Sequence, residues 1–460
     1  MTASPSSYGS HLRRSHFLFS PSYHPLNHGS FGTFPKCIRD YQRSIQDQVE
    51  SRSDPFIRVT QPKLLRQARE AVAPLLGADV REVVFVANAT TGVNTVLRNL
   101  VYEDGDVILY FNFGYDGCVK TILSVCETTQ AEAVRINVAF PIEDDELIGV
   151  FEEKVTQIGS EGRRVRIAMF DVVVSFPGVR LPWERLVKSC KGRGVLSLID
   201  GAHGIGHVDL THLADTDPDF FTSNCHKYVH LSPQDTIKAA NRHRWLFTPR
   251  PCAVFYVPSR NQHLMRTTFP TSHGFRALNP LTPHAPPSED AFGDLFEVTA
   301  TIDKSSYLCA PQAIKFRKEV LGGEESIREY CFKLARGGGK LVAAILGTEV
   351  MENKEGTLGE CCFAMVRLSP VYSDADVNGS AENGTSLPTK AAPEIAKWMS
   401  STLMEKYDTF IPGMLYEGAM WMRLSAQVYL DLEDFRWTGN VLKELCRNVE
   451  GGEWKQSSDR

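Results

Sequence analysis

Six short, almost continuously apolar runs alternate with stretches of helical periodicity, and this alternation constrains the fold more than any other feature. The runs are EVVFVAN (82–88), DVILYFN (106–112), RIAMFDVVV (166–174), VLSLIDGAHG (195–204), DFFTSN (219–224) and PCAVFYVP (251–258). A strand with apolar side chains on both faces needs both faces covered. Between the runs, PKLLRQAREAVAPLL (62–76) repeats apolar residues at i, i+3 and i+4, and LPWERLVKSCKGRG (181–194) reads as a helix ending in glycine. The pattern predicts an α/β fold with a parallel or mixed sheet between layers of helix. Ligands of such sheets bind beyond the carboxyl ends of the strands, so the residues following each run are the candidates for chemistry.

Composition narrows the function. The chain has 460 residues, enough for a large α/β domain and a smaller one. Lys+Arg is 50 and Asp+Glu is 55, a net charge of −5, which argues against a general nucleic-acid or anionic-membrane binder. No apolar run approaches the roughly 18 residues of a membrane span. The N-terminal stretch has no sustained apolar core, so no secretory signal is expected. Eleven cysteines without a CxxC pair read as reduced thiols of a cytoplasmic protein, and no metal is expected. Cys361 and Cys362 sit in a strand-like run and read as packing residues. Residues 259–296 are rich in Pro, His and Ser and read as a long ordered or functional loop, with helix resuming over 307–321. The polar stretch 373–393 reads as a flexible surface loop, and no internal repeat is present.

Four strand ends carry polar or hydroxyl residues. After 82–88 come Ala89-Thr90-Thr91-Gly92 and a helical run, which is either a phosphate cradle or an ordinary threonine-rich helix start. After 106–112, Tyr115 sits on a loop, where packing and chemistry are both open. Asp200 ends a buried run and is followed by His203; such an acid is costly unless paired, or it is a structural cap. Cys225, His226 and Lys227 follow DFFTSN, with the lysine 27 residues after Asp200. An amine able to form a Schiff base and an acid able to hold a pyridinium nitrogen are what pyridoxal phosphate (PLP) requires. An exposed lysine and a buried structural acid are the alternative.

Together LNHGSFG (26–32), NATTGVNTVL (88–97), DVVVSFPGVRLP (171–182), IDGAHGIG (199–206), SNCHK (223–227), TATID…YLC (299–309) and MRLSAQVY (422–429) resemble the class V aminotransferase family of fold-type I PLP enzymes. The resemblance runs from about residue 24 to about residue 435. FNFGYDGCVKT, WLFTPRPCAVFYVP and RLSAQVYLDLEDF are similar to its isopenicillin-N-epimerase-like branch, and within it to the fungal hercynylcysteine sulfoxide lyases. The resemblance implies a large PLP-binding domain over 36–305 with a mixed, mostly parallel sheet. It also implies a smaller α+β domain from 1–35 and 306–460. It implies that Lys227 bonds the cofactor, Asp200 pairs its ring nitrogen and His203 lies near its O3′ or ring face. Thr90, Thr91, Ser223 and His226 would hold the phosphate. Thr301 would reach the phosphate of a neighbouring subunit, implying a homodimer, although Ala300 stands where the family has glycine. Arg423 would take a substrate α-carboxylate. Asn27, His28 and Ser30 would line the substrate pocket, and Arg58 would add an anion contact. The activity implied is β-elimination from a cysteine-sulfoxide conjugate in ergothioneine biosynthesis, with Tyr115 as the acid at sulfur. An amino-acid epimerase of the same family stays open, as does a silent homologue.

That last alternative comes from an irregularity beside the lysine. The family text passes directly from the lysine to a Trp-Leu-Phe stretch, whereas here Tyr228 to Arg244 intervene, 244 − 228 + 1 = 17 residues. Lys-Tyr-Val, Ala-Asn and His-Arg can be encoded with splice-donor, branch-point and acceptor text. Residues 228–244 are therefore read as an intron translated in frame, or as a lineage-specific loop, and either could disturb the site.

Overall fold

The apolar runs become strands of a seven-stranded sheet, in a computed structural model that describes residues 8–30, 32–225, 245–280, 284, 286–372 and 387–457. The chain divides into two units: residues 30–175 with 181–320, and residues 1–29 with 176–180 and 321–460. The sequence reading ends the large domain at residue 305; the unit continues to 320 because the helix there packs against the helix that begins at residue 61.

In the larger unit the strands are β1 (Val83–Val86), β2 (Asp106–Phe111), β3 (Glu132–Ile136), β4 (Arg164–Asp171), β5 (Leu196–Asp200), β6 (Phe220–Asn224) and β7 (Ala253–Tyr256). Their order is β1-β7-β6-β5-β4-β2-β3. All pairs are parallel except the two made by β7, which runs against β6 and β1. This is the mixed, mostly parallel sheet expected. Every residue of β1, β2, β6 and β7 is buried, so both faces are covered, as the unbroken apolar runs require. Edge strand β3 escapes the sequence reading because only Ile136 of EAVRI is buried.

Among the described residues, seven helices of ten residues or more accompany this sheet: α1 (Lys36–Ser51), α2 (Gln61–Val72), α3 (Ala89–Asn99), α4 (Asp116–Cys126), α5 (Asp144–Ser160), α6 (Trp183–Gly192) and α7 (Ala310–Glu319). The expected helix over 62–76 is α2 followed by a tighter turn over Ala73–Leu76. The helix expected over 307–321 is α7, preceded by a single turn over Ser305–Leu308.

The smaller unit holds an antiparallel sheet of β8 (Phe363–Val371), β9 (Gly413–Tyr416) and β10 (Ala419–Ser425) in the order β8-β10-β9. Helices α8 (Glu324–Leu346), α9 (Ala392–Tyr407) and α10 (Leu432–Glu450) accompany it, with a short helix over Ser10–His16. α8 and α10 pack on each other and on β8. Cys361 and Cys362 are both buried ahead of β8, as packing residues should be.

Candidate active site

Asp200 ends β5 and is 2% exposed, in register with Asp171 on β4 and Thr222 on β6. Its Oδ1 accepts the Ala202 N–H at 3.0 Å, and its Oδ2 accepts the Cys118 thiol at 3.3 Å. Both donors are neutral, and no cationic side chain pairs with Asp200 among the described residues. A buried carboxylate held this way is undercompensated. A protonated heterocyclic nitrogen would supply such a charge.

The turn after β1 stands beside it. Asn88 caps α3: its side chain accepts the Thr91 N–H at 2.8 Å and the Thr91 hydroxyl at 3.1 Å. The Ala89 N–H donates to the side chain of Asn224, at the end of β6, at 2.9 Å. The Gly92 N–H donates to the Asn88 carbonyl. α3 approaches β6 so closely that a Cβ on Gly92 would lie 2.4 Å from the Thr222 hydroxyl oxygen. The helix start is thus pinned over the strand end, with its positive dipole end beside the strand that follows Asp200.

His203 is buried, and its Nδ1 accepts the Trp245 indole N–H at 3.3 Å. An indole only donates, so Nδ1 carries no proton in this arrangement. The His207 ring stacks on Trp245 at 4.0 Å. Arg317 of α7, fully buried, donates to the Trp245 carbonyl at 2.6 Å and the Gly206 carbonyl at 3.1 Å. Ser223 donates its hydroxyl proton to the Gly201 carbonyl and accepts the Ile205 N–H at 2.9 Å. It therefore clamps the 201–205 turn that carries Ala202 and His203. Tyr115, half-buried, precedes α4, and its carbonyl accepts the Cys118 N–H at 2.9 Å.

In the smaller unit Arg423 of β10 is 2% exposed. Its Nη2 donates to the Asn27 side-chain oxygen at 3.2 Å, and its guanidinium lies 4.6 Å over the Phe363 ring. Burial pushes its pKa down to about 9. Its aliphatic stem passes so near Gly178 that a Cβ there would sit 2.7 Å from Cδ. His28 Nδ1 and the Tyr429 hydroxyl are 2.6 Å apart, both buried. Asn27 is thus held on the buried Arg423 guanidinium, and His28 on Tyr429.

Other predicted residues are placed differently. Ser30 is buried and belongs to the larger unit. Arg58 forms an ion pair with Asp54 at 2.9 Å, each side chain 77% exposed, so it stands on the surface. Thr301 is exposed, and the preceding Ala300 takes φ 89, a left-handed conformation that explains why the family has glycine there. His226, Lys227 and residues 228–244 lie outside the described residues.

The aminotransferase class-V family profile matches residues 38–234. The L-cysteine desulfhydrase-like protein lolT1 of Epichloe uncinata is 37% identical, the match covering 96% of each chain. The hercynylcysteine sulfoxide lyase of Schizosaccharomyces pombe is 30% identical over 95% of this chain and 98% of its own. The chain belongs to the class V aminotransferase family. Among solved structures, a C-DES mutant with glycine covalently linked to its PLP cofactor superposes with a TM-score of 0.70 at 15% identity, covering 93% of this chain and 97% of that one. The fold is therefore that of fold-type I enzymes.

As a class V enzyme the chain uses PLP, and its named relatives set it among the carbon–sulfur lyases of the family. The donor set fits that group: an undercompensated buried carboxylate for the ring nitrogen and a pinned helix start for the phosphate. The sequence reading missed Cys118, Trp245, His207, Asn224 and Arg317. Cys118 stands three residues after Tyr115, one helical turn on, so the period of α4 could have placed both at the same strand end.

Proposed function

We propose that this class V enzyme cleaves the Cβ–S bond of a cysteine S-oxide conjugate of the hercynylcysteine sulfoxide type, in ergothioneine biosynthesis. The observation that carries the reading is the buried Asp200 carboxylate, whose donors among the described residues are both neutral and which a protonated ring nitrogen would complement. Likeness to the sulfoxide lyase over 98% of that protein's length supports the substrate class.

Bound PLP supplies an electron sink for negative charge at the substrate α-carbon. Asp200 keeps the ring nitrogen protonated. Thr90 and the α3 start hold the phosphate, while Thr91, its proton on the Asn88 side chain, fixes that start and Ser223, its proton committed to Gly201, holds the turn that carries His203. Arg423 takes the α-carboxylate, oriented by Asn27. Lys227 Nζ removes the α-proton. The Cβ–S bond breaks with its electron pair leaving on sulfur, and Tyr115 Oη protonates the departing sulfenate. The three-carbon enamine left behind takes up water and yields pyruvate and ammonia. The reading includes a cytoplasmic homodimer in which Thr301 serves the neighbouring cofactor. Eleven unbridged cysteines support the compartment, and the apolar Val298 and Ile302, exposed beside Thr301, support the contact.

The test is purified enzyme with PLP and a cysteine S-oxide conjugate, following pyruvate by coupled reduction. Stoichiometric pyruvate with a sulfur product that reduces to the thiol is expected. Hydrogen sulfide from free cysteine, with the conjugate untouched, would overturn the substrate class. Solvent deuterium at Cα with the substrate retained would select the epimerase. Failure to hold PLP by a folded chain would select a silent homologue.

A further inference from the structure

The Cys118 thiol does no work in the scheme above, yet it is fully buried and its sulfur touches the acid on which that scheme turns. The S–H donates to Asp200 Oδ2 at 3.3 Å, across 82 residues of sequence. The opposite oxygen, Oδ1, takes the Ala202 N–H at 3.0 Å from a turn that Ser223 clamps. Among the described residues each carboxylate oxygen thus has one donor, from two separately fixed elements, and these set the plane of the group. Asp171, in register on β4, is the other acid beside it.

We propose that Cys118 is a positioning residue for PLP: its thiol holds the Asp200 carboxylate in the plane that meets the ring nitrogen. The proposal rests on the reading of Asp200 given above. Burial first, then the neighbouring Asp200 charge, raises the thiol's pKa well above its ordinary value, so the sulfur stays protonated and stays a donor. A thiol is a weaker donor than a hydroxyl. It orients the carboxylate while leaving most of the charge on Oδ2 for the ring. A fully buried thiol is also poorly placed to be a nucleophile, so its chemistry is that of a hydrogen-bond donor.

The experiment compares wild type, Cys118→Ala and Cys118→Ser by titrating PLP into each apo protein and following the visible band of the bound cofactor against pH. Cys118→Ala should bind PLP about tenfold more weakly, the effect of losing one donor to a buried charged group. Cys118→Ala removes one donor from the carboxylate, and Cys118→Ser replaces it with a stronger one. The pH midpoints of the band should therefore move in opposite senses, while the apo proteins melt within a few degrees of wild type. Wild-type affinity and midpoint in Cys118→Ala would overturn the proposal. If Cys118→Ala does not fold, Cys118→Ser decides, and an unmoved midpoint overturns it. If wild type fails to bind PLP, or Asp200→Asn binds it equally well, the reading of Asp200 falls instead.

Discussion

Deleting residues 228–244 tests the relation between this chain and its family most directly. The flanks of that segment are described: Cys225 and Leu246 are fully buried, and the Leu246 N–H donates to the Cys225 carbonyl at 3.2 Å. Between them lie 246 − 225 − 1 = 20 residues, and the deletion leaves 20 − 17 = 3. In the shortened chain Cys225 and Leu246 become residues i and i+4, so the existing contact becomes the hydrogen bond of one helical turn. The flanks already stand where the shorter chain would put them. Shortening the connection from 20 residues to 3 lowers its closure cost by about 1.7 kcal/mol. The deleted form should therefore melt about 1–3 °C higher. Trp245, anchored by His203 and Arg317, would follow Lys227 directly, and PLP affinity should stay within about threefold or improve. The assay is thermal unfolding of both forms, apo and loaded, with PLP titrated by absorbance. A fall of several degrees, or loss of PLP by the folded deletion, would refute the argument and show that 228–244 is part of the site. Sequencing the transcript is the companion measurement: if every mature message encodes these residues, the intron reading fails.

Asp200→Asn should weaken PLP binding about 100-fold, because an amide cannot answer a protonated nitrogen in a buried site; absorbance titration measures it. Arg423→Lys should raise KM for a carboxylate substrate about 30-fold with a smaller effect on kcat, since an ammonium cannot make the two-pronged contact. In wild type, burial has lowered the Arg423 pKa to about 9, so the cationic form persists below that pH. Substrate affinity should decline as pH rises through it, read as KM against pH. Ala300→Gly should stabilise the fold by about 1 kcal/mol, because Ala300 holds φ 89, where a Cβ is strained; denaturant unfolding reads it.

What the sequence disclosed follows from where its signals reside. Strands buried on both faces announce themselves as unbroken apolar runs, and all six runs became strands. β3 did not announce itself because an edge strand with one buried residue has no reason to be apolar. Asp200 was legible because an acid at the end of such a run breaks the pattern. The residues that hold it were not. Cys118 lies 82 positions away, and Asn224 lies 135 from the Ala89 amide that it holds. Such contacts are set by strand order, which local patterns do not encode. Arg58 went the other way: a family position drew it toward the substrate, while its nearest counter-charge, Asp54, sits one turn away on an exposed face.

Ala300 shows how a resemblance becomes physical once a backbone angle is attached. A glycine that the family keeps and this chain lacks is only a mismatch of letters until the position is seen to hold φ 89. The mismatch then becomes a strain with a sign and a size. The same step applies to Asp200. Likeness alone makes it the acid of a PLP site, but an exposed surface acid could match the letters equally well. Burial to 2% with two neutral donors removes that option, because the carboxylate then needs a cation that the described residues do not provide. That demand belongs to this chain's own geometry, and it would stand even if no relative were known.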